Sequence, residues 1–363
     1  HFKIACFNQL SITYKIGISH MLLKTIFFCH FYRIIDFTLS NCLNSECRKI
    51  AVLVQYKSHS LNRHLLFAWD LFRREFGEFL DVIPPQMRVN RNWYLGTADA
   101  IYQNLYSVDQ VDPQDVLILS GDHIYKMDYG KMLHFHREVE ADLTIATIEV
   151  PIAEGDRFGI LEVDANRRVI GFEEKPAKAK PLPGHPGLAL ASMGLYLFNT
   201  EILRKVLIED AAESTSSHDF GKDVIPRMLA RNAVYAYQFE DENKKATKYW
   251  RDVGTLDSYW EANMDLVTVD PQFNLYDKDW PLRTQMPTLP PVKTVFGDFT
   301  DRMGAAIDSV VSPGCILSGG VARHCVLGPG VRVNSYAQVD ESIIFGEASI
   351  GRHSRIRRAI IER

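Results

Sequence analysis

Between Ile316 and Ile361 the chain keeps a period that few folds accommodate. Ile316, Val321, Val326, Val331, Val339, Ile344, Ile350, Ile356 and Ile361 recur with Gly, Ser and Asn between them, at spacings of mostly about five to six residues. That is the imperfect hexapeptide period of a parallel β-helix, in which each aliphatic residue points into a triangular core. A β-sandwich of short strands is the alternative. No polar capping repeat follows the last aliphatic position, so the solenoid is expected to be cut short or covered by a neighbouring subunit.

Upstream the pattern is different. From Arg33 to Asp265 strands and helices alternate: a buried strand at 50–55, an amphipathic helix at 58–76 with Leu61, Leu65, Trp69, Phe72 and Phe76 on its apolar side, and a helix at 97–108. A strand at 116–120, a helix at 129–139 and a strand at 143–150 follow. A hairpin turns through Asp164-Ala165-Asn166, and a strand at 192–198 and a helix at 219–230 complete the series. This βαβ rhythm predicts an α/β domain with a mostly parallel, Rossmann-like sheet and helices on both faces. Pro281, Pro287, Pro290 and Pro291 then interrupt any periodicity and mark an ordered linker. The expected divisions are an atypical N-terminal segment (1–31), the α/β domain (32–270), a Pro-rich linker (271–294) and the solenoid (295–363).

Composition excludes some classes. A net charge of -4 over 363 residues and a pI near 6.3 give no support to nucleic-acid binding. The six cysteines form no CxxC pair and no zinc-finger spacing, which fits buried thiols in a reducing cytoplasm. The apolar run Met21–Phe31 is shorter than the roughly 20 residues of a membrane span, and no small-residue cleavage site follows it. A soluble, cytoplasmic protein without a membrane partner is expected.

The chemistry concentrates in short motifs. Val116 to Tyr125 reads as a buried strand whose end carries Gly121-Asp122, where a carboxylate would face a crevice and hold a divalent metal over a nucleotide. Tyr249 to Thr255 sets Asp252 beside a second Gly-containing turn, so Asp122 and Asp252 are expected to meet around one metal ion. In Arg91 to Ala100, Gly96 permits close backbone approach and Thr97 is placed to cap a helix whose N–H groups suit a base edge or phosphate. Phe172 to Pro176 offers Lys175 as a point charge for a phosphate and Glu174 as an acceptor of sugar hydroxyls. Ser216 to Asp223 opens a helix with a Ser/Asp cluster. His218 stands beside no nucleophile, and without a Gly-x-Ser-x-Gly elbow a Ser/His/Asp hydrolase is excluded.

Taken together, RIIDFTLSNC (33–42), VQYKSHSL (54–61), NWYLGTADAIYQN (92–104), SGDHIYKMDY (120–129), EEKP (173–176), ASMGLYLF (191–198), SSHDFGKDVIP (216–226) and YWRDVGTLDSYW (249–260) resemble the bacterial glucose-1-phosphate adenylyltransferases (ADP-glucose pyrophosphorylases). The resemblance implies ATP and glucose 1-phosphate as substrates, ADP-glucose and diphosphate as products, a left-handed β-helix after the catalytic domain, and a homotetramer answering to anionic effectors. By that resemblance Asp122, Lys175 and Asp252 are catalytic, with Asp122 and Asp252 holding Mg²⁺. Gly159, Glu174, Lys175, Ser192, Tyr196 and Asp219 would surround glucose 1-phosphate. Gln55, Tyr94, Gly96 and Thr97 would lie at the adenine end, with Trp93 and Gln55 linked to regulation. Arg33 with Arg352, Arg355, Arg357 and Arg358 would bind effectors.

The family also opens with a strand and a phosphate loop, GGxGxRL, followed by KPAV. Lys3 to Phe31 contains neither, and its one glycine is Gly17. The expectation is a chain without the first strand and phosphate loop, and hence of low turnover. A catalytically silent regulatory subunit and a uridylyl- or thymidylyltransferase on the same fold are the competing readings.

Overall fold

The computed structural model describes residues 5–8, 27–29, 31–55, 58–86, 93–286, 288–297 and 302–362. Most of the segment expected to be atypical, including the stretch compared with the phosphate loop, lies outside those residues. One part of that expectation is corrected. A short strand, β1 (Ala5–Asn8), runs parallel between β2 (Lys49–Leu53) and β4 (Asp115–Ser120), with Ala5 opposite Ile50 on one side and Leu117 on the other. The centre of the sheet is filled.

Among the described residues the sheet has nine strands. Its first half is parallel: β3 (Phe79–Ile83) pairs with β2, then come β1 and β4. The second half is built on the long strand β9 (Leu188–Asn199), which runs antiparallel to β4, to β6 (Leu143–Pro151) and to β7 (Gly159–Val163). The hairpin partner of β7 is β8 (Val169–Glu174), and β10 (Val234–Gln238) returns parallel to β6. A separate two-stranded ribbon joins β5 (His123–Tyr125) to β11 (Trp250–Asp252).

Alternation along β4 explains why both faces are covered. Leu117 and Leu119 enter one apolar cluster with Leu39, Val52 and Trp69, while Val116 and Ile118 enter the other with Leu53, Ala98 and Phe198. A strand buried on both sides needs aliphatic residues at successive positions, which is what 116–119 supplies.

Three expected helices are shorter in the fold. The one read over 58–76 stops as α2 (Ser58–Ala68), and Phe76 is 82% exposed. Trp69, whose backbone N–H makes the last bond of the ladder to the Leu65 carbonyl at 3.1 Å, donates its indole N–H to buried Asp36 Oδ1 at 2.8 Å. The helix read over 97–108 divides into α3 (Thr97–Tyr102) and α4 (Leu105–Val111). Between them the Asn104 amide donates to the Ala100 carbonyl at 2.8 Å and to Tyr94 Oη at 2.9 Å, competing with the backbone ladder. The helix read over 219–230 becomes a π turn (Phe220–Val224) and a short α7 (Ile225–Met228). Pro226 has no N–H for the Lys222 carbonyl, so the register there widens by a residue.

Helix α8 (Leu256–Asp265) leads to residues 271–286, which reach α1 (Ile34–Asn44) through Trp280, Arg283 and Thr284. The Trp280 indole donates to Asn41 Oδ1 at 2.8 Å, the Arg283 amide to Ser40 Oγ at 2.9 Å, and Thr284 Oγ1 to Asp36 Oδ2 at 2.7 Å. The C-terminal part is a three-faced parallel solenoid, each face a sheet of four short strands; this is the architecture of a left-handed β-helix. Leu317, Ala322, Leu327, Val333, Val339, Ile344 and Ile350 fill its interior. Ile316 and Val321, expected inside, are only half-buried, because the middle residue of each three-residue strand points inward. The solenoid packs on the α/β part through Val326, Ile343 and Phe345 against Tyr249 and Tyr259. Among the described residues no helix is long and apolar enough to cross a membrane.

Candidate active site

The cleft that matters opens at the carboxyl end of β4, where the sheet changes from parallel to antiparallel pairing. It encloses ≈ 380 Å³. Open α/β sheets bind ligands at such a switch point, because the neighbouring connections leave in opposite directions. Asp122, Lys175, Asp252, Gly159, Glu174, Ser192, Tyr196, Asp219 and Thr97 all line it.

The two acids expected to share a metal come together through the β5–β11 ribbon, in which Asp252 stands opposite His123. Asp122 accepts from Ser120 Oγ, and its Oδ1 lies 2.9 Å from His123 Nδ1. Asp252 accepts the Gly254 N–H at 2.8 Å, and its Oδ2 lies 3.9 Å from the Arg157 guanidinium. The His123 ring stacks on Trp250 with centroids 4.8 Å apart. Among the described residues no three His, Cys, Asp or Glu side chains form a metal cage. Two carboxylates without a cage suit a hard divalent cation that completes its shell with substrate phosphates and water.

The other wall is built around Glu174. Its Oε2 would lie 2.8 Å from a Cβ placed on Gly159 and 2.7 Å from one on Gly221, so both positions need glycine for the carboxylate to stand where it does. Burial pushes its pKa above the usual 4.5; the Lys175 charge opposes that and the Asp219 charge adds to it. Lys175, at φ +49°, has its Nζ 3.9 Å from Glu174 Oε1. Lys175 is exposed, and its ammonium lies at the mouth of the cleft. Ser192 sits at the irregularity in β9, where Gly194 at φ +69° bends the strand and donates to Ser192 Oγ at 3.2 Å. Burial, then the charges of Glu174 and Asp219, raise the Tyr196 phenol well above its ordinary value, so it stays protonated.

Asp219 is fixed on both oxygens. One accepts the N–H groups of Gly221 and Lys222 at 2.9 and 3.1 Å, and the other accepts Thr97 Oγ1 at 3.1 Å. Thr97 therefore serves the opposite loop and not its own helix, whose N-cap is Gly96. The N–H groups of Ala98 and Asp99, expected to face a ligand, both point to the His218 carbonyl at 2.8 and 3.4 Å. Gly96 is needed for space, since a Cβ there would lie 2.1 Å from that carbonyl.

The remaining expected residues lie elsewhere. Tyr94 is buried, with its phenol pushed up in pKa by burial and bonded to Asn104. Trp93 is exposed, and Gln55 keeps a buried Oε1 without a hydrogen-bond partner. Neither they nor Gly96 line the cleft. Arg33 lines a second recess, of ≈ 840 Å³, with His59, Arg63, Gln285 and Glu347, and its guanidinium donates to Ser60 at 3.0 Å. Arg352, Arg355, Arg357 and Arg358 do not border that recess. Arg358 lies over the Trp260 ring at 4.7 Å, Arg357 is 3.8 Å from Glu341, Arg352 lies over Tyr336 at 6.0 Å, and Arg355 is exposed. The structure thus separates Arg33 from the arginines grouped with it in the sequence reading.

Sequence reading missed Arg157, His123 and Trp250. The signal for the last two was present: each neighbours or alternates with one of the paired acids on a short strand.

A nucleotidyl transferase family model matches residues 16–269, and a GlmU-like C-terminal hexapeptide model matches residues 290–363. The chain is 53% identical over 335 residues to the glucose-1-phosphate adenylyltransferase of Rhodopirellula baltica, covering 92% of this chain and 75% of that protein. It is 53% identical to the enzyme of that name from Koribacter versatilis, covering 92% and 80% of the two chains. With that of Methylococcus capsulatus the identity is 51%, covering 92% and 78%.

Proposed function

Because this chain belongs to the glucose-1-phosphate adenylyltransferase family of nucleotidyl transferases, we propose that its cleft transfers the adenylyl group of ATP to glucose 1-phosphate, releasing diphosphate and leaving ADP-glucose. A phosphate oxygen of the sugar attacks the α-phosphorus. A new P–O bond forms as the bond to the diphosphate breaks, and no covalent enzyme intermediate is needed. Two anions must approach in line, so the protein's work is charge neutralisation and alignment.

The observation that carries this reading is the convergence of Asp122, Asp252, Lys175, Glu174 and Asp219 on one cleft. Asp122 and Asp252 would hold Mg²⁺, which when bound neutralises phosphate charge as a Lewis acid. Lys175 would meet the sugar phosphate as a mobile point charge. Glu174 and Asp219 would accept glucose hydroxyls, with Ser192 and Tyr196 closing the ring site against Gly159. Thr97, which lines the cleft, would border the nucleotide; Gln55, Tyr94 and Gly96, which stand outside it, are assigned to the adenine end by family resemblance alone. A cytoplasmic homotetramer regulated by anions at Arg33 fits the same reading, and the arginines at 352–358 are left as a second, separate basic surface.

Calorimetric titration of the protein with ADP-glucose and with UDP-glucose, each with and without Mg²⁺, tests the proposal. ADP-glucose should bind more tightly than UDP-glucose and should need the cation. Equal binding of the two nucleotide sugars, or none of ADP-glucose, would overturn it.

A further inference from the structure

His218 has no part in the chemistry above, yet it is held more deliberately than a loop residue needs to be. Its backbone is in the left-handed region at φ +57°, which a residue carrying a β-carbon enters only at a steric cost. Its Nδ1 lies 2.9 Å from Oδ2 of Asp210, a buried carboxylate at the end of α6 (Thr200–Ala211). The other Asp210 oxygen accepts Ser216 Oγ at 2.6 Å, and Ser216 Oγ in turn accepts the His218 N–H at 3.0 Å. Arg227 approaches the same carboxylate at 3.4 Å. Ring, amide and backbone angle are therefore all set from one buried acid.

The purpose of that arrangement lies in what the rest of the residue touches. The His218 carbonyl accepts the N–H groups of Ala98 and Asp99 and so caps α3 from another part of the chain. One residue later Asp219 accepts Thr97 Oγ1, and Phe220 donates its N–H to the same hydroxyl at 3.0 Å. Gly96 is bare where a side chain would strike the His218 carbonyl. The loop presenting a sugar-side acid and the turn presenting the nucleotide-side threonine are thus one assembly, joined through residue 218.

We propose that His218 is a positioning residue, clamped by Asp210, that holds Asp219 on the sugar side and Thr97 on the nucleotide side in a single geometry. The inference rests on the adenylyl-transfer reading of the cleft and goes beyond it. When the clamp is released, both half-sites lose their alignment together. An asparagine at 218 satisfies the same requirements, because its amide nitrogen stands where Nδ1 stands and asparagine accepts positive φ readily.

The test measures dissociation constants for glucose 1-phosphate and for ADP-glucose, in the presence of Mg²⁺, for the parent protein and for H218A, H218Q and H218N. H218Q keeps the bulk but carries its amide one bond too far from Asp210, and it serves if H218A does not fold. The loss of one charge-assisted hydrogen bond predicts about tenfold weaker binding of both ligands in H218A and H218Q. H218N should return both constants to within about threefold of the parent. Parent-like binding by H218A or H218Q, or H218N as impaired as H218Q, would overturn the inference while leaving the function standing. Failure of the parent protein to bind either ligand would instead count against the function.

Discussion

Gly221→Ala separates what this site needs for folding from what it needs for binding. The backbone at Gly221 lies outside the left-handed region, so alanine is conformationally acceptable there. Its new methyl group would stand 2.7 Å from Glu174 Oε2, 3.2 Å from Glu174 Cδ and 3.4 Å from Asp219 Oδ1. The crowded atoms end a flexible side chain, so they yield by rotation without strain in the sheet. To reach ordinary contact the Glu174 carboxylate must retreat by about 0.7 Å. A hydrogen bond displaced that far is largely lost, and one made to a charged group contributes about 1.5 to 3 kcal/mol. The dissociation constant for glucose 1-phosphate should therefore rise roughly 10- to 100-fold, while the melting temperature moves by less than about 4 °C. Calorimetric titration and a thermal melt on the same preparation read both quantities. A large fall in melting temperature with sugar-phosphate binding intact would show instead that Gly221 serves the fold and not the carboxylate.

Glu174→Gln should trade binding for stability. The folded-state pKa of Glu174 is raised, so the folded protein disfavours the ionised form, and that penalty grows as pH rises through the raised value. Thermal melts should show E174Q more stable than the parent at pH 8, with the difference gone at pH 4, and titration should show weaker glucose 1-phosphate binding at pH 8. Lys126 is buried, with its Nζ 2.9 Å from both Asp277 Oδ2 and the Asn274 carbonyl. Lys126→Ala strands Asp277 and should cost about 3 to 5 kcal/mol in urea unfolding, whereas removing the exposed, solvent-screened Lys180–Glu162 pair should leave the unfolding midpoint essentially where it was. Trp260→Ala removes the indole bond to the Glu341 carbonyl and the ring beneath Arg358, and limited proteolysis should then cut residues 286–297 faster than in the parent.

The parts legible in the sequence were those whose cause is local. A doubly buried strand ending on Gly121-Asp122, a hairpin ending on Glu174-Lys175 and a short strand ending on Asp252 each carry their geometry within a few residues, and all three acids with Lys175 reach the cleft. The solenoid was legible because its period repeats, although the inward position fell one residue later at Leu317 and Ala322. What escaped depended on distant partners. Trp69 leaves the helical face for buried Asp36, and Asn104 breaks the next helix by turning to the Ala100 carbonyl and Tyr94. Thr97 abandons its cap for Asp219, and the N–H groups behind it are taken by residue 218, far along the chain. The strand Ala5–Asn8 was missed because neither its pattern nor its length distinguished it from the surrounding residues; its place between β2 and β4 is a property of the sheet.

Whether Asp122 and Asp252 act together in adenylyl transfer to a sugar phosphate is read from a single-turnover reaction with protein in excess over ATP, saturating glucose 1-phosphate and Mg²⁺, followed by mass spectrometry of the nucleotides. Under those conditions even a rate lowered about 10²- to 10³-fold, the usual effect of losing one preorganised donor, remains visible over hours. ADP-glucose should accumulate in proportion to ATP consumed, stop when the cation is chelated, and fail to form with D122N or D252N. No ADP-glucose from the parent protein, or as much from D122N or D252N as from the parent, would overturn the role assigned to the two acids.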